Sequence, residues 1–334
     1  MKKVILALAA AMFASCSNEE TILVAQPDVI GFGTPFIENA TRAIDPSYGE
    51  SGAALTEFSV WGTVKGNGEG YAMVKIFDGD TVTGKIGPNV WSCDNAQYWA
   101  PSCDYNFVAL TDIDAVTALS LDDNGMPQGF TYSAATNADI MVAKATASTN
   151  ENATPNTNYV NFTFQHLLSK VKFTFATESA GAFKIKDVKI SGFYASGNCD
   201  ITSSPATWKG QTGSISDLSF GNANNTTKAT DTNTAAENIT ATNPVTSNYE
   251  HLIIPGTYAA NSLSVSFTKE YYLSASDTSA ASTEVVSATL PALTAQPNNA
   301  YNILVNLEGG SQITFHINAM EEWGPTTEVN PEQV

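Results

Sequence analysis

Arg42 is the only arginine among the 15 basic residues of this 334-residue chain, so any Arg-specific chemistry has one address. Carboxylates are plentiful, with 33 Asp and Glu, and glycoside hydrolysis needs only two of them held about 5–10 Å apart. The sequence offers no pair to prefer. Glu321 and Glu322 precede Trp323, an acidic pair beside an aromatic that reads first as a solvated strand end. His166, His251 and His316 lie far apart, and none sits at a zinc-ligand spacing from a cysteine, so no metal site is expected. Gly66-Asn67-Gly68-Glu69-Gly70 lacks the spacing of a phosphate-binding loop and reads as a hairpin turn. Asp122-Asp123-Asn124-Gly125 lacks the later glutamate of a calcium loop and also reads as a turn. No nucleophile elbow, zinc-protease helix or redox cysteine pair is present. The expectation is no catalytic residue, no metal and no cofactor.

Cys16 has a different chemistry. Lys2 and Lys3 precede an apolar run from Val4 to Phe13, and Ala14 and Ser15 lead to Cys16, the plan of a secretory signal. Ala-Ser-Cys at the end of such a run resembles a lipobox, whose cysteine is acylated and becomes the new N-terminus. Phe13 departs from the usual Leu of that motif. Several acyl chains anchor a protein firmly where one holds it only marginally. Loss of the two lysines takes the net charge from 15 − 33 = −18 to 13 − 33 = −20. The run is too short to span a bilayer, and no later stretch approaches the ~18–20 apolar residues a spanning helix needs. An exported chain meets oxidising conditions, and a Cys93–Cys103 disulfide closing a short loop would leave Cys199 unpaired.

The elements that must position these residues are strands. The chain is 43% hydrophobic and 10% aromatic, enough for a sizeable core and about two domains. Its pI near 4.3 is the wrong sign for gripping nucleic acid or anionic lipid. Phe58, Val60 and Val64 alternate along one run, Val171, Phe173 and Phe175 along another, and Leu263, Val265 and Phe267 along a third. Further strands are expected at 72–77, 105–110, 159–164, 183–190, 252–255, 285–290, 301–307 and 313–319, with no convincing helical period. So many short strands between polar turns suit an all-β fold of two tandem antiparallel β-sandwiches. The polar stretch 147–158 with Pro155 places the boundary, giving domains at 43–155 and 156–334. The Asn-, Thr- and Ala-rich tract 221–247 reads as a surface insertion.

Several of these pieces, in this order, resemble the fimbrillin family of Bacteroidales, the subunits and accessory proteins of type V pili. They are the lipoprotein signal with its acidic tether Ser17-Asn18-Glu19-Glu20; Val29-Ile30-Gly31-Phe32-Gly33 leading to Asn39-Ala40-Thr41-Arg42-Ala43; Phe58-Ser59-Val60-Trp61-Gly62; Gln97-Tyr98-Trp99 before Tyr105-Asn106-Phe107; Asp139-Ile140-Met141-Val142-Ala143; Phe164-Gln165-His166-Leu167-Leu168; and Leu252-Ile253-Ile254-Pro255-Gly256 through Tyr301-Asn302-Ile303 to Ile313-Thr314-Phe315 and Trp323. The resemblance implies sandwiches of transthyretin-like type and a structural, adhesive role on the cell surface rather than catalysis.

It also implies a mechanism. Residues 1–15 would be the signal peptide. Residues 16–42 would be a lipidated tether carrying a placeholder strand with Val29, Ile30 and Phe32. Cleavage between Arg42 and Ala43 by an Arg-specific protease would release that strand. A carboxy-terminal strand of another fimbrial subunit, carrying the equivalents of Ile313, Phe315, Ile317 and Trp323, would then take its place, because a sandwich lacking one strand exposes backbone donors and a strip of core. Pro325 and Pro331 would each remove a ladder donor from a paired strand, which confines donation to 312–323. Cutting changes the charge from 15 − 33 = −18 to 12 − 29 = −17, so charge is not the trigger. An uncut chain would be an anchor subunit held in the outer membrane by its lipid. The other readings are a lipid-anchored monomeric binding module for glycan or host protein, whose exposed Trp and Tyr would stack on sugars, and an extracellular hydrolase. The ligand and the place in a pilus stay open.

Overall fold

A computed structural model describes residues 28–33, 35–37, 55–84, 91–136, 138–157, 159–225, 235–307 and 313–320. The fold is all-β, as the alternation predicts. A short strand β1 (Phe36–Ile37) is followed by β2 (Glu57–Gly66), β3 (Val74–Thr83), β4 (Ser92–Cys93), β5 (Cys103–Leu110), β6 (Val116–Leu121), β7 (Pro127–Ser133), β8 (Met141–Ser148) and β9 (Thr163–His166). Then come β10 (Ser169–Ala176), β11 (Ala182–Ser191), β12 (Ser196–Asp200), β13 (Thr207–Thr212), β14 (Leu218–Gly221), β15 (Val245–Thr246) and β16 (His251–Ile253). The last are β17 (Gly256–Tyr258), β18 (Ser264–Tyr272), β19 (Ser282–Thr289), β20 (Leu293–Ala295), β21 (Ala300–Leu307) and β22 (Ile313–Met320).

The first sheet has the order β1-β9-β8-β5-β2-β3-β4. Phe58 and Val60 of β2 point inward with Phe77, Phe107 and Phe164, while Trp61 points to the other face with Val108 and Leu110. Both faces of its centre are therefore covered, so β2 reads as a near-continuous buried run rather than a half-buried one. The turn at 67–70 joins β2 to β3, and Gly70 at φ 89 needs glycine there. Between β6 and β7 the Asp122 carboxylate accepts the N–H of Asn124 and of Met126, at 2.8 and 2.9 Å, a side-chain-closed turn.

The second sandwich sets the sheet β15-β10-β21-β22, with β16 also on β10, against the sheet β14-β11-β18-β19. Val171, Phe173 and Phe175 face Phe183, Ile185, Val265 and Phe267 in its core. β10 and β21 pair in parallel from Lys170–Ala300 to Ala176–Asn306, inside an otherwise antiparallel sheet.

A further sheet, β13-β12-β7-β6, takes β6 and β7 from one half of the sequence and β12 and β13 from the other. It packs over Trp61, Val108 and Leu110 with a shared core of Phe130, Tyr132, Leu167, Ile201 and Ile254. The first sheet itself runs on to His166, where Nδ1 lies 2.9 Å from the buried Asp139 carboxylate. Two sheets thus draw strands from both sides of residue 155, and the polar stretch there holds the end of β8 and its turn.

Two expectations are corrected. The described parts of the tract, residues 221–225 and 235–247, are woven into the second sandwich, since Ala223, Ile239 and Val245 are buried in its core. Cys93 and Cys103 are free thiols. Cys93 pairs with Val82 and Val82 with Phe58, whereas Cys103 pairs with Gly66. Phe58 and Gly66 are 66 − 58 = 8 residues apart on β2, about 26 Å at ~3.3 Å per residue, against the ~7 Å a disulfide tolerates between Cα atoms.

Candidate functional site

Residues 28–33 and 35–37 lie between the two outer edges of the first sheet. On one side Val29 bridges Tyr98 and Phe32 bridges Trp91, both antiparallel. On the other, Phe32 bridges Val160 in parallel and β1 continues that pairing with β9. Ile30 N–H donates to Gln97 O at 2.8 Å, and Trp99 N–H to Asp28 O at 3.0 Å. Val160 N–H donates to Gly31 O at 2.9 Å, Gly33 N–H to Val160 O at 3.0 Å, and Phe36 N–H to Phe162 O at 2.8 Å. One segment satisfies backbone groups on both edges, which would otherwise be open templates.

Its side chains alternate. Ile30 and Phe32 are 4% and 0% exposed, whereas Val29 is 50% exposed. The Phe32 ring sits among Phe58, Phe77 and Phe162, with centroids 6.1, 5.7 and 6.0 Å away. Burial of Ile30, Phe32 and Ile37 contributes about 1.5–3 kcal/mol each. On the other face, a Cβ on Gly31 would lie 3.1 Å from the Tyr159 ring, and one on Gly33 would run into Asn161 Oδ1.

β22 is the outer strand of its own sheet. It pairs with β21 in unbroken antiparallel register from Leu307–Ile313 to Ala300–Met320. Ile313, Phe315 and Ile317 pack on the second core, while His316 and Asn318 are exposed. The residues expected to be donated therefore already serve the subunit that carries them. Cys16, Arg42, Ala43 and Trp323 lie outside the described residues.

Nothing else described is arranged for reaction at a surface. Among the described residues no three His, Cys, Asp or Glu side chains converge on a metal-sized site. Burial pushes the Cys93, Cys103 and Cys199 thiols up, away from the reactive thiolate. Trp61, Trp91 and Trp99 are buried, and half-buried Trp208 donates its Nε1–H to Leu167 O at 2.8 Å. These tryptophans are core and not a sugar-stacking platform. A shallow groove across β6, β7 and β12 is lined by Ser120, Gln128, Thr131, Asn198, Asp200 and Thr202. Asp200 there is held at about 2, chiefly by the Thr202 hydroxyl and amide and by Lys209.

The sequence profile of the fimbrillin-like family matches residues 41–324. The chain belongs to that family. No curated protein matches it. Among solved structures this fimbrillin-like chain is similar to a fimbrial protein from Bacteroides vulgatus, with TM-score 0.61 and 16% identity over 87% of this chain and 98% of that one. It is also similar to a candidate cell adhesion protein from Bacteroides ovatus, with TM-score 0.54 and 14% identity over 91% and 100% of the two chains. Those likenesses share the fold. Sequence reasoning singled out 29–33 through the family resemblance and read 159–164 as a strand, but it did not pair the two and missed the 91–98 edge on the other side. The paired glycines flanking Phe32 were the available signal.

Proposed function

We propose that this chain is a structural and adhesive fimbrial subunit of the cell surface, exported as a lipoprotein at Cys16 and assembled by strand replacement. The observation that carries this is the position of residues 28–37. They close both open edges of the first sandwich, yet they are joined to the rest of the body only through the stretch that contains the solitary Arg42. A cut between Arg42 and Ala43 would turn an integral strand into a separate ligand held by hydrogen bonds and the four buried side chains of Ile30, Phe32, Pro35 and Ile37. An extended strand from another subunit that makes the same bonds would then compete for its place. An Arg-specific protease and neighbouring subunits are the partners this requires, and no catalytic chemistry is needed.

β22 supports a second reading of the chain's position in a polymer. A carboxy-terminal strand engaged along its whole length with β21 has to unzip before it is given away. A chain that keeps it accepts a strand without donating one, and such a chain ends a polymer.

The test is an intact mass and a denaturing gel without boiling, on the exported protein before and after an Arg-specific protease. A single cut at Arg42 followed by a ladder of stable multimers is expected. A clean cut that leaves a monomer identifies a chain that ends polymers or binds alone, and an uncut chain identifies an anchor.

A further inference from the structure

We infer that Asn161 and Tyr159 select the strand that the first sandwich accepts, and that it comes from a different chain, with a glycine beside its buried aromatic. The inference rests on the strand-replacement reading above.

Gly31 and Gly33 flank Phe32, and neither has a left-handed backbone. Their glycines therefore answer to space and not to conformation: a larger residue at either position makes the Tyr159 ring or the Asn161 carboxamide swing aside. The space is taken from one side. Asn161 donates its Nδ2–H to Tyr159 O at 3.2 Å, and Thr157 donates its hydroxyl to the same carbonyl at 2.6 Å. This sets the Asn161 carboxamide oxygen directly over Gly33, while the Tyr159 ring lies against Gly31 and its Cβ closes the far side of Gly33. The groove thus has a deep aromatic socket on its inner face and, on its outer face, a slot that Asn161 fills and that admits a side chain only when Asn161 swings away.

The chain's own β22 has half of the key. Ile313-Thr314-Phe315-His316-Ile317 repeats the apolar–aromatic spacing of Ile30 and Phe32, so Phe315 would fill the socket. It fails at the slot. With Phe315 in the place of Phe32, a parallel strand puts His316 at the Gly33 position, and an antiparallel strand puts Thr314 there. Either side chain meets Asn161. A second copy of this chain is a poor donor, and a strand with glycine next to its aromatic is a good one.

The test uses the full chain cut after Arg42, with labelled peptides as competing strands followed by fluorescence anisotropy. The peptides are residues 28–37, the same peptide with Gly33→His, and residues 312–320. The first should exchange into the protein, and the other two should bind at least about tenfold more weakly. Asn161→Gly, a change at an exposed side chain, should bring the Gly33→His peptide back to within about threefold of the first, and the 312–320 peptide only part of the way, because its second flanking side chain still meets the Tyr159 ring. Equal binding of all three peptides overturns the selector while leaving strand replacement standing. Failure of every peptide to exchange overturns strand replacement and the selector with it. In the uncut chain Gly33→His should lower the melting temperature and Asn161→Gly should restore it, and no change on Gly33→His overturns the selector without reference to exchange.

Discussion

The ring of Phe32 lies nearly parallel to that of Phe162, 14° between planes and 6.0 Å between centroids. The two residues come from either side of the expected first domain, 43–155, one from the segment ahead of Arg42 and the other from the approach to β9. Their contact ties the closing segment to the sheet it closes.

Truncating that tie has a calculable cost. Phe32→Ala removes a fully buried ring from an aromatic cluster that cannot collapse around the gap, which costs about 3–5 kcal/mol. At about 2–4 °C per kcal/mol the melting temperature should fall by about 10 °C. Val29→Ala, at a half-exposed position one bridge away, should change it by less than about 0.5 kcal/mol. A Phe32→Ala chain that melts with the wild type would show that 28–37 does not close the sandwich.

The thiols offer an independent check on register. Burial raises all three, so at pH 8 each carries less thiolate than a free cysteine. Half-buried Cys93 should alkylate first, and Cys199, enclosed in the shared core, only on unfolding. Mass spectrometry without reductant should find Cys93 and Cys103 singly labelled. A peptide pair cross-linked through those two cysteines would contradict the strand pairing that separates them.

On the outer face of β11 and β18, Glu270 accepts from Lys186 Nζ at 2.7 Å and from the Tyr272 hydroxyl at 2.9 Å. The Lys186 bond holds Glu270 below the usual carboxylate range, and the same bond raises Lys186. A depressed carboxyl stabilises the fold above its unfolded value, near pH 4.3, and that contribution is lost as pH falls through the folded value. The raised lysine contributes below its ordinary value and loses this as pH rises. Lys186 is 39% exposed, so solvent screening keeps the pair under about 1 kcal/mol. Glu270→Gln should lower stability by that amount at pH 7, with the gap narrowing as pH falls below the unfolded value and through the lower folded one. A gap that does not change at all with pH would place the effect in packing rather than charge.

How much of this was legible in the sequence depended on where each strand pairs. β5, β10, β18 and β21 carry Val, Ile, Phe and Tyr at period two, and their cores follow from that pattern. β7, β12 and β13 read Pro-Gln-Gly-Phe, Ser-Gly-Asn-Cys-Asp and Thr-Trp-Lys-Gly. Glycine and small polar residues there hide strands that are stabilised by partners in the other half of the chain. The sheet that joins the halves was invisible for that reason, and the domain boundary was drawn through it. The closing segment was legible as a strand because Ile30 and Phe32 alternate with glycine. Its two-sided pairing was not, since sequence spacing says nothing about which edges a segment meets.

The proposed donation of β22 gives the last prediction. Asn306 on β21 and Thr314 on β22 are direct cross-strand partners, and both are half-buried. Asn306→Cys with Thr314→Cys would bolt β22 to its own sheet, since facing antiparallel residues have Cα atoms about 4.5–5.5 Å apart, inside the ~4.4–6.8 Å that a disulfide spans. A bolted chain keeps its first sandwich untouched and still accepts a strand after the cut at Arg42. It cannot give β22 away. Mixed with natural pilus subunits, the oxidised double variant should appear only at chain ends on an unboiled gel, and reductant should lift that block where β22 is the donated strand. Ladders of undiminished length under oxidising conditions would show that β22 stays home in the assembled polymer and that a different segment is donated.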